Sequence, residues 1–314
     1  MDIVALFPGQ GSQKPGMGKD LAEAFPAARD VFGRADAALG ESLATLCFDG
    51  PAEALTLTHN AQPALLTHGA AVWAVLREAL SGRMRAAAGH SLGEFTAWHA
   101  VGSISLEDAV RLVRRRGQLM YEAGRVRAGS MAAILGDPSE SIDVICQRAS
   151  SEADGGLVVA ANFNSPGQVV ISGEVAGVQK AMELAKAAGA KRAIALNVSG
   201  AFHSPLMIPA REGLATALSE ARFDEPKAPV CANVDATMVS SADVGRRLLV
   251  EQLTSPVRWT DVVARLAAQF PDALFVEMGP GTVLSGLVRK IAPTIQTTTC
   301  GTAAEVESML AKVA

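Results

Sequence analysis

The pentapeptide Gly89-His90-Ser91-Leu92-Gly93 sets a serine between two glycines at the spacing of a nucleophile elbow. The small apolar run Met84 to Ala88 before it reads as a strand, and the stretch through Ala100 after it as a helix. Flanking glycines permit a strained strand-to-helix turn that lifts the hydroxyl out of the chain path. That turn also sets the hydroxyl at a helix N-terminus, whose unpaired N–H groups suit an oxyanion. A Gly-rich turn without catalytic meaning is the plainer reading of the pentapeptide alone; its strand and helix context favours the elbow.

A serine hydroxyl is a poor nucleophile at neutral pH and needs a base. The chain has five histidines. His59 and His68 fall on or near a long early helix, His90 is inside the elbow, and His99 lies two turns down the next helix. His203, in Gly200-Ala201-Phe202-His203-Ser204-Pro205, falls in a loop between elements, where a rigid α/β scaffold usually carries its catalytic side chains. The alternative is that His203 only satisfies backbone groups at a domain junction. Serine early and histidine late is an α/β-hydrolase-like order, yet no aspartate stands out as a third member.

The elements that must position these residues alternate. Ile3 to Phe7 reads as a buried strand stopped by Pro8-Gly9, and helical periodicity runs from Met17 to about Leu80 with breaks near Pro26 and Pro51. Ser105 is an N-cap candidate for a helix from Leu106 to about Ala123. From Ser130 the order becomes βαββαβ within about 70 residues, a ferredoxin-like arrangement. Helices and short strands then resume, ending in the Met278-Gly279-Pro280-Gly281-Thr282 loop, a helix over Val283 to Lys290 and a helix from Ala303. The expected class is α/β: a large α/β-hydrolase-like domain with a parallel-sheet core over residues 1–127 and 199–314, interrupted by a small ferredoxin-like subdomain over 128–198.

Composition narrows the function classes. With 314 residues, 49% hydrophobic and 19% charged, the chain can bury a large core, which excludes disorder and collagen-like repeats. A formal net charge of -4 argues against a general nucleic-acid-binding surface, so any acidic partner must meet a local basic patch. Cys47, Cys146, Cys231 and Cys300 are far apart and read as reduced, buried thiols rather than a zinc module. The start of the chain lacks a basic signal-peptide region, and no apolar run approaches the roughly 18 residues of a membrane span. A cytoplasmic protein that binds neither membrane nor nucleic acid is expected.

Phe7-Pro8-Gly9-Gln10-Gly11-Ser12-Gln13, GHSLGE at 89–94, Arg116-Gly117, NFNSPGQVVISG at 162–173, GAFHSPLM at 200–207 and MGPGTVLSGLVRK at 278–290 together resemble the malonyl-CoA:acyl carrier protein transacylases, relatives of polyketide synthase acyltransferase domains. The similarity runs in order along essentially the whole chain. It implies ping-pong transfer of malonyl from malonyl-CoA to the phosphopantetheine thiol of an acidic acyl carrier protein, by a monomer without metal or redox cofactor. Ser91 is then the nucleophile and His203 the base, with the main-chain carbonyl of Gln252 in place of the missing aspartate. The N–H groups of Gln10 and Leu92 form the oxyanion hole. Arg116, rather than Arg114 or Arg115, pairs with the malonyl carboxylate; without an elbow, the three arginines would read as a solvated helix face.

The same resemblance makes Phe202 a specificity residue, since related polyketide acyltransferases carry a smaller residue there for methylmalonyl; a core Phe is the alternative. Asn162 and His90 join the substrate pocket, while Met120 and Met131 read as core or rim. Arg289 and Lys290, with Lys191 and Arg192 across the cleft, are the candidate basic residues for carrier docking; ordinary solvated surface is the alternative. Supply of fatty-acid synthesis and action in trans on a polyketide assembly line use the same motifs. A serine hydrolase shares the elbow but gives no reason for Arg116 or the GAFH motif, and a silent scaffold needs neither Ser91 nor His203.

Overall fold

A computed structural model describes residues 1–152, 156–198 and 200–313. Ser199, where the expected domain boundary falls, and Ala314 lie outside the described residues. Along the chain, β1 (Ile3–Phe7) is followed by α1 (Lys19–Ala24), α2 (Pro26–Leu39), α3 (Leu43–Asp49), α4 (Ala52–Thr56) and α5 (Thr58–Leu76). Next come β2 (Met84–Gly89), α6 (Leu92–Ala100), α7 (Leu106–Val126), β3 (Gly129–Leu135), α8 (Ile142–Glu152), β4 (Val158–Ser165), β5 (Gln168–Glu174), α9 (Val175–Ala187) and β6 (Arg192–Ala195). A short turn of 3-10 helix leads into α10 (Ile208–Glu220), β7 (Val230–Cys231), β8 (Met238–Val239), α11 (Ala242–Glu251), α12 (Trp259–Gln269), β9 (Leu274–Met278), α13 (Val283–Ile291), β10 (Thr297–Cys300) and α14 (Ala303–Val313).

The larger sheet has the order β10-β9-β1-β2-β7-β8, parallel except for the β7–β8 pair. Every residue of β1 is buried, as a continuous Ile-Val-Ala-Leu-Phe run requires of a strand covered on both faces. Phe7 pairs with Gly89, so the PGQG turn after β1 and the serine turn after β2 leave the sheet side by side. Open α/β sheets place their crevice at such carboxyl ends. Helix α5 is buried almost all round between α2 and α7. Ser105 caps α7 as expected: its Oγ accepts from the Asp108 N–H at 3.0 Å.

The smaller sheet is antiparallel in the order β4-β5-β3-β6, the ferredoxin-like order. Helices α8 and α9 cover one face through Ile134, Ile145, Ile171 and Val178. Met131, Ala133 and Val170, alternating onto the other face, look into the cleft between the sheets. A backbone exchange pins β4 to the larger body: Val257 N–H donates to the Ala161 carbonyl at 2.8 Å, and Phe163 N–H to the Val257 carbonyl at 2.9 Å.

The sequence reading omits β8 and β10. The first is two residues long, and the second, Thr-Thr-Thr-Cys, has no apolar run to mark it. The early helical region also breaks at Gly40, whose left-handed φ of 66° ends α2. All four cysteines are free and buried, and burial pushes each thiol up to about 12. No helix among the described residues is long and apolar enough to cross a membrane.

Candidate active site

The turn at Ser91 is built by steric exclusion. A Cβ on Gly89 would collide with the Gly93 backbone, and one on Gly93 with the Phe7 carbonyl, so both positions need glycine. Ser91 itself takes φ 52° and ψ −106°, a strained backbone for a residue with a side chain. Asn233 holds it there: its Oδ1 accepts from the Ser91 N–H at 2.7 Å and its Nδ2 donates to the Gly89 carbonyl at 2.8 Å. The His90 N–H, donating to the Phe7 carbonyl at 3.0 Å, ties the turn to β1.

His203, which follows the smaller sheet in the chain, reaches this serine in the cleft. Its Nε2 lies 2.7 Å from Ser91 Oγ, and its Nδ1 lies 2.9 Å from the main-chain carbonyl of Gln252 at the end of α11. A carbonyl only accepts, so Nδ1 carries the proton and Nε2 presents its lone pair to the serine hydroxyl. Burial, with the charge of Arg116 next, lowers the imidazole pKa to about 3 against the pull of that carbonyl. The base form is therefore fully populated at neutral pH. No carboxylate is required for this tautomer, which explains why the sequence offers none in that place.

Arg116 is 1% exposed at the back of the same cavity. Gly117 lets α7 approach α5, because a Cβ there would sit 2.6 Å from His59 Cα. That approach brings the Arg116 guanidinium to Gln62 Oε1 at 2.8 Å; it also donates to Gln252 Oε1 at 2.9 Å and to Ser91 Oγ at 3.1 Å. It lies 5.4 Å over the Phe95 ring, and burial lowers its pKa to about 10, which leaves it charged at neutral pH. Of its neighbours, Arg115 is exposed, and Arg114 turns away to Glu41 at 2.6 Å and Asn60 at 2.5 Å. A buried planar cation beside a serine–histidine pair can bind a substrate carboxylate bidentately.

The cavity, about 380 Å³, brings together Gln10, His90, Ser91, Leu92, Arg116, Asn162, Phe202 and His203. Among the described residues neither the Gln10 nor the Leu92 N–H has a protein partner. His90 Nε2 meets Asn164 Oδ1 at 2.8 Å, and burial lowers its pKa. Met120 and Met131 line the wall. His68 and His99 contact the carbonyls of Gly301 and Ile104 at 3.0 Å each, and His59 packs edge-on to Tyr121. Arg289 and Lys290 are exposed at the end of α13 and do not line the cavity; Lys191 and Arg192 are exposed at the start of β6. A larger hollow of about 610 Å³ around Trp73, Arg77 and Lys227 contains none of the serine–histidine machinery.

Gln62 and Asn233 are the site residues that sequence reasoning missed. Both are amides in stretches without a catalytic motif, and only their burial, 0% exposed in each case, marks them.

The acyl transferase domain family matches residues 4–307. A malonyl CoA-acyl carrier protein transacylase of Bacillus subtilis is 49% identical over 94% of this chain and 92% of its own length, and one of Escherichia coli K12 is 46% identical over 92% and 93%. Among solved structures, an acyl-carrier-protein-S-malonyltransferase from Bartonella henselae superposes with a TM-score of 0.94 at 43% identity, covering 100% of this chain and 99% of that one. A malonyl-transacylase in complex with a type II polyketide synthase acyl carrier protein gives 0.94 at 42%, covering 99% and 100%. The chain thus belongs to the acyl transferase family and groups within it with the malonyl CoA-acyl carrier protein transacylases.

Proposed function

We propose that this protein transfers malonyl from malonyl-CoA to the phosphopantetheine thiol of an acyl carrier protein, supplying fatty-acid synthesis. The observation that carries the reading is the buried Arg116 guanidinium 3.1 Å from Ser91 Oγ. It gives the serine pocket a place for a second, charged carboxyl that an ordinary ester would leave unused.

The Ser91 hydroxyl passes its proton to His203 Nε2 as Oγ attacks the thioester carbonyl carbon. The free N–H groups of Gln10 and Leu92 face the developing oxyanion, the second from the N-terminus of α6. The C–S bond breaks, the coenzyme A sulfur takes the proton from Nε2, and malonyl-serine remains. The carrier's thiol then gives its proton to Nε2 and attacks the ester in the reverse sense. Asn162 lines the cavity wall and has a supporting role in positioning the substrate. Intact mass after mixing with malonyl-CoA tests this: a malonyl-sized increment discharged by acyl carrier protein is expected. Rapid release of free malonate marks a hydrolase, and no adduct marks a scaffold.

Phe202 is 6% exposed and lines the cavity next to His203, where a rigid ring beside the substrate α-carbon would exclude an added methyl group. Phe202→Ser should raise methylmalonyl relative to malonyl kcat/KM by about 10- to 200-fold, the range one methyl group commands. An unchanged ratio would refute the role. For the carrier, Arg289 and Lys290 form no ion pair among the described residues and are free to meet acidic side chains. Reversing both charges should raise KM for the carrier several-fold and leave KM for malonyl-CoA alone; an unaltered carrier KM counts against this docking surface.

A further inference from the structure

Beneath the elbow, Glu94 is a carboxylate that the acyl-transfer steps do not use. It is 0% exposed on the first turn of α6, where ionised side chains are expensive unless partnered. Its Oε2 accepts from Gln252 Nε2 at 2.7 Å and from the Asn233 N–H at 3.1 Å. Gln252 Nε2 also donates to the Ser91 carbonyl at 3.0 Å.

A side-chain amide has one accepting and one donating end, and their order decides what Gln252 offers to Arg116. With Nε2 drawn to two acceptors, Oε1 is left facing the guanidinium at 2.9 Å. The opposite flip would aim N–H groups at a cation and an oxygen at a carboxylate, losing both contacts. The Ser91 carbonyl can only accept, and Glu94 Oε2, which also accepts from the Asn233 N–H, acts as an acceptor beside it, so together they permit one orientation. The main-chain carbonyl of the same Gln252 holds His203, but it belongs to the backbone and does not depend on the flip.

We infer that Glu94 is a positioning residue for malonyl specificity: by fixing the side-chain amide of Gln252 it fixes the Arg116 guanidinium against the place of the substrate carboxylate. The inference rests on the malonyl-transfer reading above. It separates two functions that meet at Gln252, with the side chain serving the carboxylate and the backbone serving the base. Burial raises the Glu94 carboxyl to about 7 despite the hydrogen bonds and the nearby Arg116 charge, a desolvation cost that apolar packing would avoid.

The test is the ratio of malonyl to acetyl kcat/KM, normalised to the folded, acylatable fraction, in Glu94→Ala, Glu94→Asp and Glu94→Gln. Aspartate keeps the charge but is one methylene too short to reach Gln252 and Asn233; glutamine keeps the reach and an accepting oxygen. The ratio should fall by about 10- to 100-fold in Glu94→Ala and Glu94→Asp, the weight of a hydrogen bond to a charged group. In Glu94→Gln it should stay within a few-fold of wild type. A purely structural role lowers both substrates together, and a purely electrostatic one ranks aspartate above glutamine; either result overturns the inference. Should Glu94→Ala not fold, the order of the other two variants decides. Failure of the wild-type protein to form malonyl-enzyme overturns the underlying reading instead.

Discussion

Ser91→Ala should form no malonyl adduct, and malonyl transfer should fall by on the order of 10⁴- to 10⁶-fold. His203→Ala should lose a comparable factor, and the double variant little more than either single one, because two groups that act as a unit do not contribute additively. The geometry requires this coupling. Ser91 Oγ lies 2.7 Å from Nε2, and that nitrogen has an available lone pair only because Nδ1–H is committed to the Gln252 carbonyl at 2.9 Å. Without the imidazole, the hydroxyl stays a weak nucleophile; without the hydroxyl, the imidazole has no acyl acceptor to activate. Folding should survive Ser91→Ala, since Asn233 holds the turn through the Ser91 backbone N–H and Arg116 keeps both glutamine partners. Intact mass and single-turnover rates, with Tm as the control, check the prediction. A malonyl adduct on Ser91→Ala, or a double variant that loses the product of the single factors, would remove Ser91 and His203 from these roles.

The sequence made the elbow legible because its constraints are local. Gly89 and Gly93 are two residues either side of Ser91, and the apolar run before them and helix after them lie within a dozen residues. His203 was legible only in part: a loop position favoured it over four other histidines, but its distance to Ser91 depends on how the ferredoxin-like sheet folds between them. Gln252 as its acceptor came from resemblance alone, since any residue can supply a carbonyl and no side-chain type signals it. Gln62, Asn233 and the role of Glu94 were not legible at all. Each acts through a hydrogen bond to a residue far along the chain, as in Gln62 to Arg116 or Asn233 to Gly89. In the fold, long apolar or amphipathic runs identified β1, α5 and α7, whereas β8 and β10 exist because a neighbouring strand offers them an edge.

Arg116→Ala should divide the two substrates rather than weaken both. For malonyl-CoA, kcat/KM should fall by about 10²- to 10⁴-fold, because the carboxylate would enter a buried pocket without its partner, a loss on the order of 3–5 kcal/mol. For acetyl-CoA it should hold or rise, since the methyl group then meets apolar space instead of a desolvated guanidinium. Two effects compete with this outcome. Arg116 also donates to Ser91 Oγ at 3.1 Å, so its removal alters the nucleophile; and its loss leaves Gln62 Oε1 and Gln252 Oε1 without a donor. Both effects bear equally on the two acyl groups, and the second costs stability of about 1–3 kcal/mol per orphaned acceptor, which Tm reports separately. Only the carboxylate contact distinguishes malonyl from acetyl, so the ratio isolates it. Arg116→Lys sharpens the test: an ammonium keeps the charge but lacks the planar fork, and should recover only part of the malonyl rate. Equal loss with both thioesters in Arg116→Ala, after correction for the folded fraction, would leave Arg116 as a structural cation.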